Sequence, residues 1–338
     1  AWGSEPVLPP GVSLSERILT SEGILSLQTL PKSIIVVGGN IIGVEFATLF
    51  AELGVQVILI EKMERILPGE EPEAAALLVQ ELKQLGVTVY TNVQMETIQS
   101  SDSHVHLLVS NLASGQRTPQ AHPSQGAHLH KNVDDVPSQD PLAITHNLFA
   151  NYALICTGRK PKLRIAELNA LGIRHEQRGI AINERMATNV PGIFAVGDVT
   201  GGMMLAHRAM QQGKTLAYHL CGCPGPRFME GAVPAVVYTH PQIARVGLTE
   251  AEAARRGIAT EAHWVNYGAN ITARTQLMNS GFVKTLFDRS KLLGVTIVGD
   301  QAGDLIASFS LAMSAGLDRK HLEEWIIAHP TLSELLNS

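Results

Sequence analysis

The amino-terminal half of the chain alternates short, fully apolar runs with longer segments of helical periodicity. The β-branched run at 33–37 is followed by a helical pattern at 41–53 and a second apolar run at 55–60. The order then repeats, with a helical pattern at 71–85 and a third apolar run at 87–91. Apolar strands that alternate with amphipathic helices are typical of a parallel sheet. The pattern therefore predicts a βαβαβ unit, one half of a doubly wound α/β fold.

The pattern changes beyond residue 100. A hairpin is expected from 104–110, turning at 114–115, and the polar stretch 116–140 is expected to be a mobile surface insertion because it is dense in Pro, Gln, His and Asp. Two further apolar strands, 152–156 and 193–196, should each lead into a turn.

The last third of the chain follows a helix, predicted to begin after Leu205-Ala206-His207 and to end at about Leu220, and a Cys/Pro/Gly-rich link at 221–226. Strands are predicted at 233–238, 281–288 and 293–298, and helices at 304–315 and 319–328, which indicates an α+β domain. The domain boundaries that follow are a connector at 1–30, a nucleotide-binding domain at 31–156 with the insertion 116–140, a central segment at 157–226, and a carboxyl-terminal domain at 227–338.

Composition narrows the functional classes. The chain has 338 residues, 45% of them hydrophobic and 17% charged, with a formal net charge of -5. This charge provides no general attraction for nucleic acid or anionic lipid, and no apolar run is long enough to span a bilayer. Three cysteines, Cys156, Cys221 and Cys223, lack a disulfide-scaffold spacing. A soluble, cytoplasmic protein is predicted, without nucleic acid or membrane partners.

The first candidate site is the glycine turn that follows the first strand. In a dinucleotide-binding turn, Gly38 would make the tight bend and Gly43 would allow the helix to pack on the strand, whereas Asn40 stands where a glycine usually admits the pyrophosphate. Glu61, at the end of the second strand, would bind the adenosine ribose diol and repel a 2′-phosphate. The arrangement predicts a Rossmann-type NAD site with a somewhat altered phosphate contact; the alternative is a purely structural turn.

Three further side chains have two interpretations each. Asp198 follows a predicted strand, where it could cap a helix or turn, or bind a ligand. Glu334 fits a Thr-x-x-Glu capping box with Thr331, or it could orient His329 as a general acid and base.

No metal site is predicted. The histidines of the polar stretch and its flank lack metal-site spacing; they are His122, His128, His130 and His146.

Seven motifs occur in the order found in one family. They are Ala1-x-Gly3-Ser4, Gly38-x-x-x-x-Gly43-x-Glu45, Thr157-Gly158-Arg159-x-Pro161, Gly197-Asp198, Leu205-Ala206-His207-x-Ala209, Tyr238-Thr239-His240-Pro241 and His329-Pro330-Thr331-Leu332-Ser333-Glu334. With them the chain resembles the FAD-dependent pyridine nucleotide-disulfide oxidoreductases, and within that family it is most similar to the dihydrolipoyl dehydrogenases. The resemblance spans nearly all of the chain except 116–140.

The resemblance implies a set of site residues. The NAD site would comprise Gly38, Gly39, Asn40, Ile41, Ile42, Gly43, Glu45, Glu61 and Gly158. The FAD contacts would be Gly3, Ser4, Asp198, Met204, Leu205, Ala206 and His207. His329, oriented by Glu334, would exchange protons with a small dithiol or a dihydrolipoyl-bearing protein across a homodimer interface, so 227–338 would be the dimerisation domain and 157–226 part of a FAD domain.

The chain also departs from that family. The first FAD-binding unit and its Cys-x4-Cys redox disulfide are missing from the sequence, and Cys221-Gly222-Cys223 has the wrong spacing. We therefore expect a truncated form, with 1–30 as a remnant of the FAD domain, that is inactive alone. Two other functions stay open: a non-catalytic short form that binds NAD and dimerises, and a related flavoprotein such as a transhydrogenase or a mercuric reductase.

Overall fold

The computed structural model describes residues 1–111, 145–278 and 280–337. The amino-terminal elements are β1 (Ser4–Pro6), β2 (Ile18–Leu19), α1 (Ser21–Ile24), β3 (Ser33–Val37), α2 (Ile41–Glu52), β4 (Gln56–Ile60), α3 (Pro72–Gln84) and β5 (Thr88–Tyr90). The next strands are β6 (Val93–Ser100), β7 (Val105–Asn111), β8 (Thr145–Ala150) and β9 (Tyr152–Ile155). Among the helices of these described ranges, none combines the length and apolar character required to cross a membrane.

A five-stranded parallel sheet organises this half of the chain, in the order β2-β9-β3-β4-β5. The α/β fold predicted from the apolar runs is therefore confirmed. In the register of the sheet, Val37 lies beside Ile60 on one side and Ile155 on the other. The residues that follow these three strands consequently meet at one edge of the sheet, where parallel sheets of this class bind ligands.

The two faces of the parallel sheet are covered differently. On one face, Ile34 and Val36 pack against helices α2 and α3. In α3, Leu78 and Leu82 are fully buried. Complete burial of each such leucine contributes about 2 kcal/mol. The other face packs against β6, β7 and β8, which form an antiparallel sheet, rather than against a second layer of helices.

This antiparallel sheet differs from the predicted hairpin. Strand β7 pairs with β6 on one side and with β8 on the other, and His106 lies opposite Phe149. The expected turn at 114–115 and the polar stretch 116–140 both lie outside the described residues. The partner strand β8 was missed because its first half is polar and unburied, and only its pairing with β7 makes it a strand.

The central segment contains β10 (Arg159–Pro161), α4 (Ile165–Ala170), β11 (His175–Glu176), β12 (Gly179–Ile180), a 3-10 turn (Gly197–Thr200) and α5 (Ala206–Leu220). Strand β10 pairs with β1, so the first residues of the chain are joined to this segment. The strand predicted at 193–196 is wrong: only an isolated bridge between Ala187 and Phe194 occurs there. The run is apolar because it packs into a small core with Leu168 and Ile180, not because it joins a sheet.

The carboxyl-terminal domain consists of β13 (Ala235–Val237), β14 (Gln242–Gly247), α6 (Glu250–Arg255), β15 (Glu261–Asn266), α7 (Ile271–Thr275), β16 (Phe282–Asp288), β17 (Lys291–Gly299), α8 (Ala302–Ala315), α9 (Arg319–Glu323) and a 3-10 turn (Leu332–Leu336). Its antiparallel sheet has the order β13-β14-β17-β16-β15. The predicted α+β class is confirmed. The helix predicted at 319–328 is too long, since α9 ends at Glu323 and the chain then turns so that Trp325 and Ile327 pack on the core.

Candidate functional site

The glycine turn after β3 is closely packed. Gly38 has a φ of +109°, and a Cβ there would collide with the carbonyl oxygen of Cys156. A Cβ on Gly43 would overlap the carbonyl oxygen of Gly38. Both positions therefore require glycine because β3, α2 and the end of β9 approach closely, which is the role that the fingerprint assigns to its first and third glycines.

Asn40 caps the helix that follows the glycine turn. It lies in extended backbone, with a φ of −81°. As the N-cap of α2, its Oδ1 accepts a hydrogen bond from the Gly43 N–H at 3.3 Å, while its Nδ2 donates to the Cys156 carbonyl. The side chain thus caps the helix and joins it to the end of β9.

Glu61 lies at the mouth of the glycine turn. Its Oε2 accepts the Gly39 N–H at 2.6 Å, and its Oε1 accepts the Met63 N–H at 2.7 Å. The residue is 8% exposed. Each carboxylate oxygen has a second lone pair, so both backbone bonds leave acceptor capacity for a hydroxyl group.

The start of α2 offers hydrogen-bond donors beside this acid. Helix geometry leaves the N–H groups of Ile41 and Ile42 without an acceptor inside the helix, at its positive dipole end. Gly158 lies just after β9, the strand that pairs with β3. It has a φ of +118°, and a Cβ added there would meet no atom within 4 Å. Open space and donors therefore lie at the same edge of the sheet.

Glu45, one turn into α2, faces the carboxyl-terminal domain. Its Oε1 accepts the Tyr238 N–H at 2.8 Å. Burial raises the pKa of the Glu45 carboxyl, while the hydrogen bond from Tyr238 acts in the opposite direction. The structure thus connects the helix that follows the glycine turn with the Tyr238-Thr239-His240-Pro241 motif.

A second group of predicted residues meets where β1 contacts the 3-10 turn. The Ser4 hydroxyl donates to Asp198 Oδ2 at 2.6 Å and accepts from Arg159 Nε at 2.9 Å. Arg159 also donates to the Ser4 carbonyl at 2.9 Å. Sequence reasoning placed Ser4 and Asp198 in one site but did not assign a role to Arg159, although Arg159 belongs to the Thr157-Gly158-Arg159 motif. At Gly3, with a φ of +71°, a Cβ would meet no atom within 4 Å.

The start of α5 joins this region to the carboxyl-terminal domain. Met204 and Leu205 precede the helix, with Leu205 as N-cap, and Ala206 is its first residue. His207 Nε2 lies 2.7 Å from the Pro234 carbonyl oxygen. Because a carbonyl only accepts hydrogen bonds, Nε2 is the protonated nitrogen in this contact.

His329 and Glu334 form a pair at the end of the chain. Glu334 Oε1 lies 2.8 Å from His329 Nδ1, and Oε2 accepts the Thr331 N–H at 3.0 Å. The expectation that Glu334 must choose between the imidazole and the backbone is therefore wrong, since its two oxygens serve both. With Nδ1–H bonded to the carboxylate, Nε2 is the nitrogen that can accept a proton. The His329 side chain is 70% exposed.

Acid should weaken the His329–Glu334 pair. Two hydrogen bonds lower the pKa of Glu334 below its ordinary value of about 4.3: the bond from the Thr331 N–H has the larger effect, and the bond with His329 the smaller. A carboxyl group whose pKa is lower in the folded than in the unfolded state stabilises the fold at pH values above the unfolded-state pKa. This stabilisation is lost as the pH falls through the folded-state pKa. We expect the stability difference between wild type and Glu334→Gln in urea unfolding to shrink from about pH 6 to pH 3. The exposed Glu323→Gln variant is the control; a difference that grows on acidification would contradict the assignment.

The three cysteines are free. Cys156 is buried, which raises the pKa of its thiol to about 12, whereas Cys221 and Cys223 are exposed. Within the described ranges, no three His, Cys, Asp or Glu side chains are grouped in a way that could hold a metal ion; His122, His128 and His130 lie outside those ranges.

The parallel sheet, the glycine turn and the acid that closes it define a Rossmann-type α/β protein. Residues 1–213 match the family model described as pyridine nucleotide-disulphide oxidoreductase, and residues 233–338 match the dimerisation domain of the same family. The chain belongs to the pyridine nucleotide-disulphide oxidoreductase family, which confirms the resemblance found in its motifs.

Individual relatives agree with this assignment. A dihydrolipoyl dehydrogenase of Bacillus subtilis is 33% identical over 99% of this chain, which spans 66% of that enzyme's length. The crystal structure of LpdA from Mycobacterium tuberculosis has a TM-score of 0.82 at 25% identity, covering 99% of this chain and 67% of that one. The Cu(II) complex of the HOCl-induced flavoprotein disulfide reductase RclA from Escherichia coli has a TM-score of 0.80 at 27% identity, covering 99% and 71%. Dihydrolipoyl dehydrogenases use FAD and NAD(H) as cofactors.

Proposed function

We propose that the chain provides the NAD-binding, flavin-contacting and dimer-forming parts of a dihydrolipoyl dehydrogenase-like oxidoreductase. In such a protein, electrons pass from the thiols of a dihydrolipoyl group through FAD to NAD. The observation that supports this most is the position of Glu61, whose carboxylate is hydrogen-bonded to the Gly39 N–H at the mouth of the glycine turn. The substrate would be a dihydrolipoyl-bearing protein or a small dithiol.

The NAD site would be formed by the turn from Gly38 to Gly43. The N–H groups of Ile41 and Ile42, at the positive end of α2, would bind pyrophosphate, and Glu61 would accept from the ribose hydroxyls. Gly158 would leave room for the nucleotide, and Glu45 would lie towards the nicotinamide.

The residues proposed for FAD also fit a polyhydroxylated chain. Asp198 is half-buried, and a carboxylate there can accept a hydroxyl group while Ser4 holds it in place. Gly3 leaves open space beside Asp198. The side of the FAD site formed by the start of α5 would consist of Met204, Leu205, Ala206 and His207. When bound, FAD would supply the electron transfer between thiol and NAD.

His329 would move the proton. The carboxylate of Glu334 keeps the proton on Nδ1, so Nε2 can take a proton from a thiol and return it. The 70% exposure of the His329 side chain is consistent with a group that completes its site on the partner of a homodimer. We also place the protein in the cytoplasm, where free thiols such as its three cysteines persist.

A second candidate function is a non-catalytic module that binds NAD and dimerises. The cysteines favour it: the Cys156 thiol is buried with a raised pKa, and Cys221 and Cys223 are separated by one residue. The visible absorption spectrum and NADH oxidation by the purified chain distinguish the two functions. Blue absorption from bound flavin supports the oxidoreductase, whereas NADH binding without flavin or turnover supports the module. A chain that binds neither cofactor contradicts both.

Glu61 should determine the choice of nucleotide. We expect isothermal titration calorimetry to show tighter binding of NADH than of NADPH, because the carboxylate repels a 2′-phosphate. In Glu61→Gln, NADH affinity should fall about tenfold and the preference over NADPH should disappear, since a charged acceptor becomes a neutral amide. The exposed neighbour Glu64→Gln is the matched control. An unchanged NADH preference in Glu61→Gln would remove Glu61 from the site.

A further inference from the structure

The loop that follows Glu61 is built onto the glycine turn. We define residues 61–71 as the connecting loop. Besides the bond from Gly39 N–H to Glu61, the Leu67 N–H donates to the Gly39 carbonyl at 2.8 Å. The Ile66 side chain is fully buried, and a Cβ on Gly39 would lie 2.7 Å from its Cγ2. Gly39 is therefore held on both its N–H and its carbonyl by one loop.

Arg65 braces the connecting loop from within. Its guanidinium donates to the carbonyl oxygens of Leu67, Pro68 and Glu70 at 2.8, 2.9 and 3.0 Å. Leu67 is held with a φ of +46°, a conformation that costs a branched residue free energy and persists only where its surroundings fix it. Because the Arg65 hydrogen bonds hold the loop in one conformation, we expect a displacement at Glu70 or Glu71 to move the residues that contact Gly39.

The far end of the loop is fixed by cations of the carboxyl-terminal domain. Arg245 Nε donates to Glu70 Oε2 at 2.7 Å. Lys284 Nζ donates to Glu71 Oε2 at 2.9 Å, and the Glu250 N–H donates to Glu71 Oε1 at 2.8 Å. Lys284 is 0% exposed and Glu71 is 1% exposed, so these charges depend on each other rather than on water.

We propose that Arg245 and Lys284 are positioning residues for the dinucleotide site, acting on the glycine turn through the connecting loop. The inference rests on the proposed NAD function and adds to it: the affinity of the turn for nucleotide depends on ion pairs between the loop carboxylates Glu70 and Glu71 and cations of the carboxyl-terminal domain. Removal of a cation leaves a buried carboxylate unpaired, and the carboxylate can regain water only if the loop moves away from Gly39.

The test compares two arginines of the same domain. Arg245→Met removes the partner of Glu70. Arg319→Met is the matched control, because Arg319 is also partly buried and paired with a carboxylate, Glu261, but does not contact the loop. Each full-length variant is titrated with NADH at a temperature well below its unfolding transition. Arg245→Met should weaken NADH binding about tenfold, the size of a coupling between distant residues, and Arg319→Met should not.

Amide hydrogen exchange provides a readout that needs no nucleotide. Exchange in peptides covering 36–44 and 61–71 should accelerate in Arg245→Met and stay at the wild-type rate in Arg319→Met. If Arg245→Met does not fold, Glu70→Gln, which keeps the shape of the side chain, should show the same change to a smaller extent. A lower unfolding temperature with unchanged exchange in both peptides would overturn the inference. If wild type binds no NADH, the proposed function fails, and exchange alone decides the coupling.

Discussion

Gly43→Val should bind NADH about 100-fold more weakly than wild type, the equivalent of an overpacking cost near 3 kcal/mol. A side chain at Gly43 would overlap the Gly38 carbonyl oxygen, so the start of α2 has to move away from β3. That movement separates the helix N–H groups from Glu61, and the pyrophosphate and ribose contacts can no longer form together. Calorimetric titration with NADH and the thermal unfolding midpoint should both be measured.

Gly213→Ala is the control for the glycine turn. Gly213 lies inside α5, and a Cβ there would meet no atom within 4 Å. Alanine should stabilise the helix by up to about 1 kcal/mol and leave NADH affinity unchanged. Equal NADH affinity of Gly43→Val and wild type would show that the nucleotide does not use this turn.

Lys284→Met should lower the free energy of unfolding by about 3–5 kcal/mol, because it leaves the carboxylate of Glu71 buried without its cation. Burial lowers the pKa of Lys284, but hydrogen bonds from its Nζ to Glu250 and Glu71 outweigh that effect, and the net pKa is raised. The ammonium group is therefore charged at neutral pH. Urea unfolding followed by circular dichroism measures the loss.

Two further variants separate the loss of the charge from the loss of the side chain. Lys320→Met removes an exposed lysine that pairs with Glu324, and it should change the free energy of unfolding by less than about 1 kcal/mol. Adding Glu71→Gln to Lys284→Met should recover part of the lost stability, since the buried charge is gone. A loss below about 1 kcal/mol in Lys284→Met would contradict the account of the cluster.

The elements that could be predicted are those defined by local pattern. Strands β3 and β4 with helices α2 and α3 agree with the prediction to within a residue or two at each end, because apolar runs and helix ends are encoded locally. Strands β8 and β15 could not be found in this way. No side chain of β15 is fully buried, so no apolar run marks it in the sequence, and only its pairing with β16 makes it a strand.

The same division holds at the site. The glycine turn and the terminal acid of β4 follow from spacing along one βαβ unit, and the structure places Glu61 against Gly39. The pair of Lys284 and Glu71 joins residues 213 positions apart in the chain, and a charge pattern alone does not identify such a partner. Arg159 was missed for the same reason, since its contact with Ser4 depends on the pairing of β1 with β10.

The most direct test follows the amide NMR signals of the labelled chain as NADH is added. The proposed site predicts that the signals of Gly39, Ile42, Gly43 and Gly158 shift together and saturate, whereas amides of α8, in the carboxyl-terminal core, stay in place. If saturating NADH leaves the four signals unchanged, the glycine turn is structural and the proposed dinucleotide site is wrong.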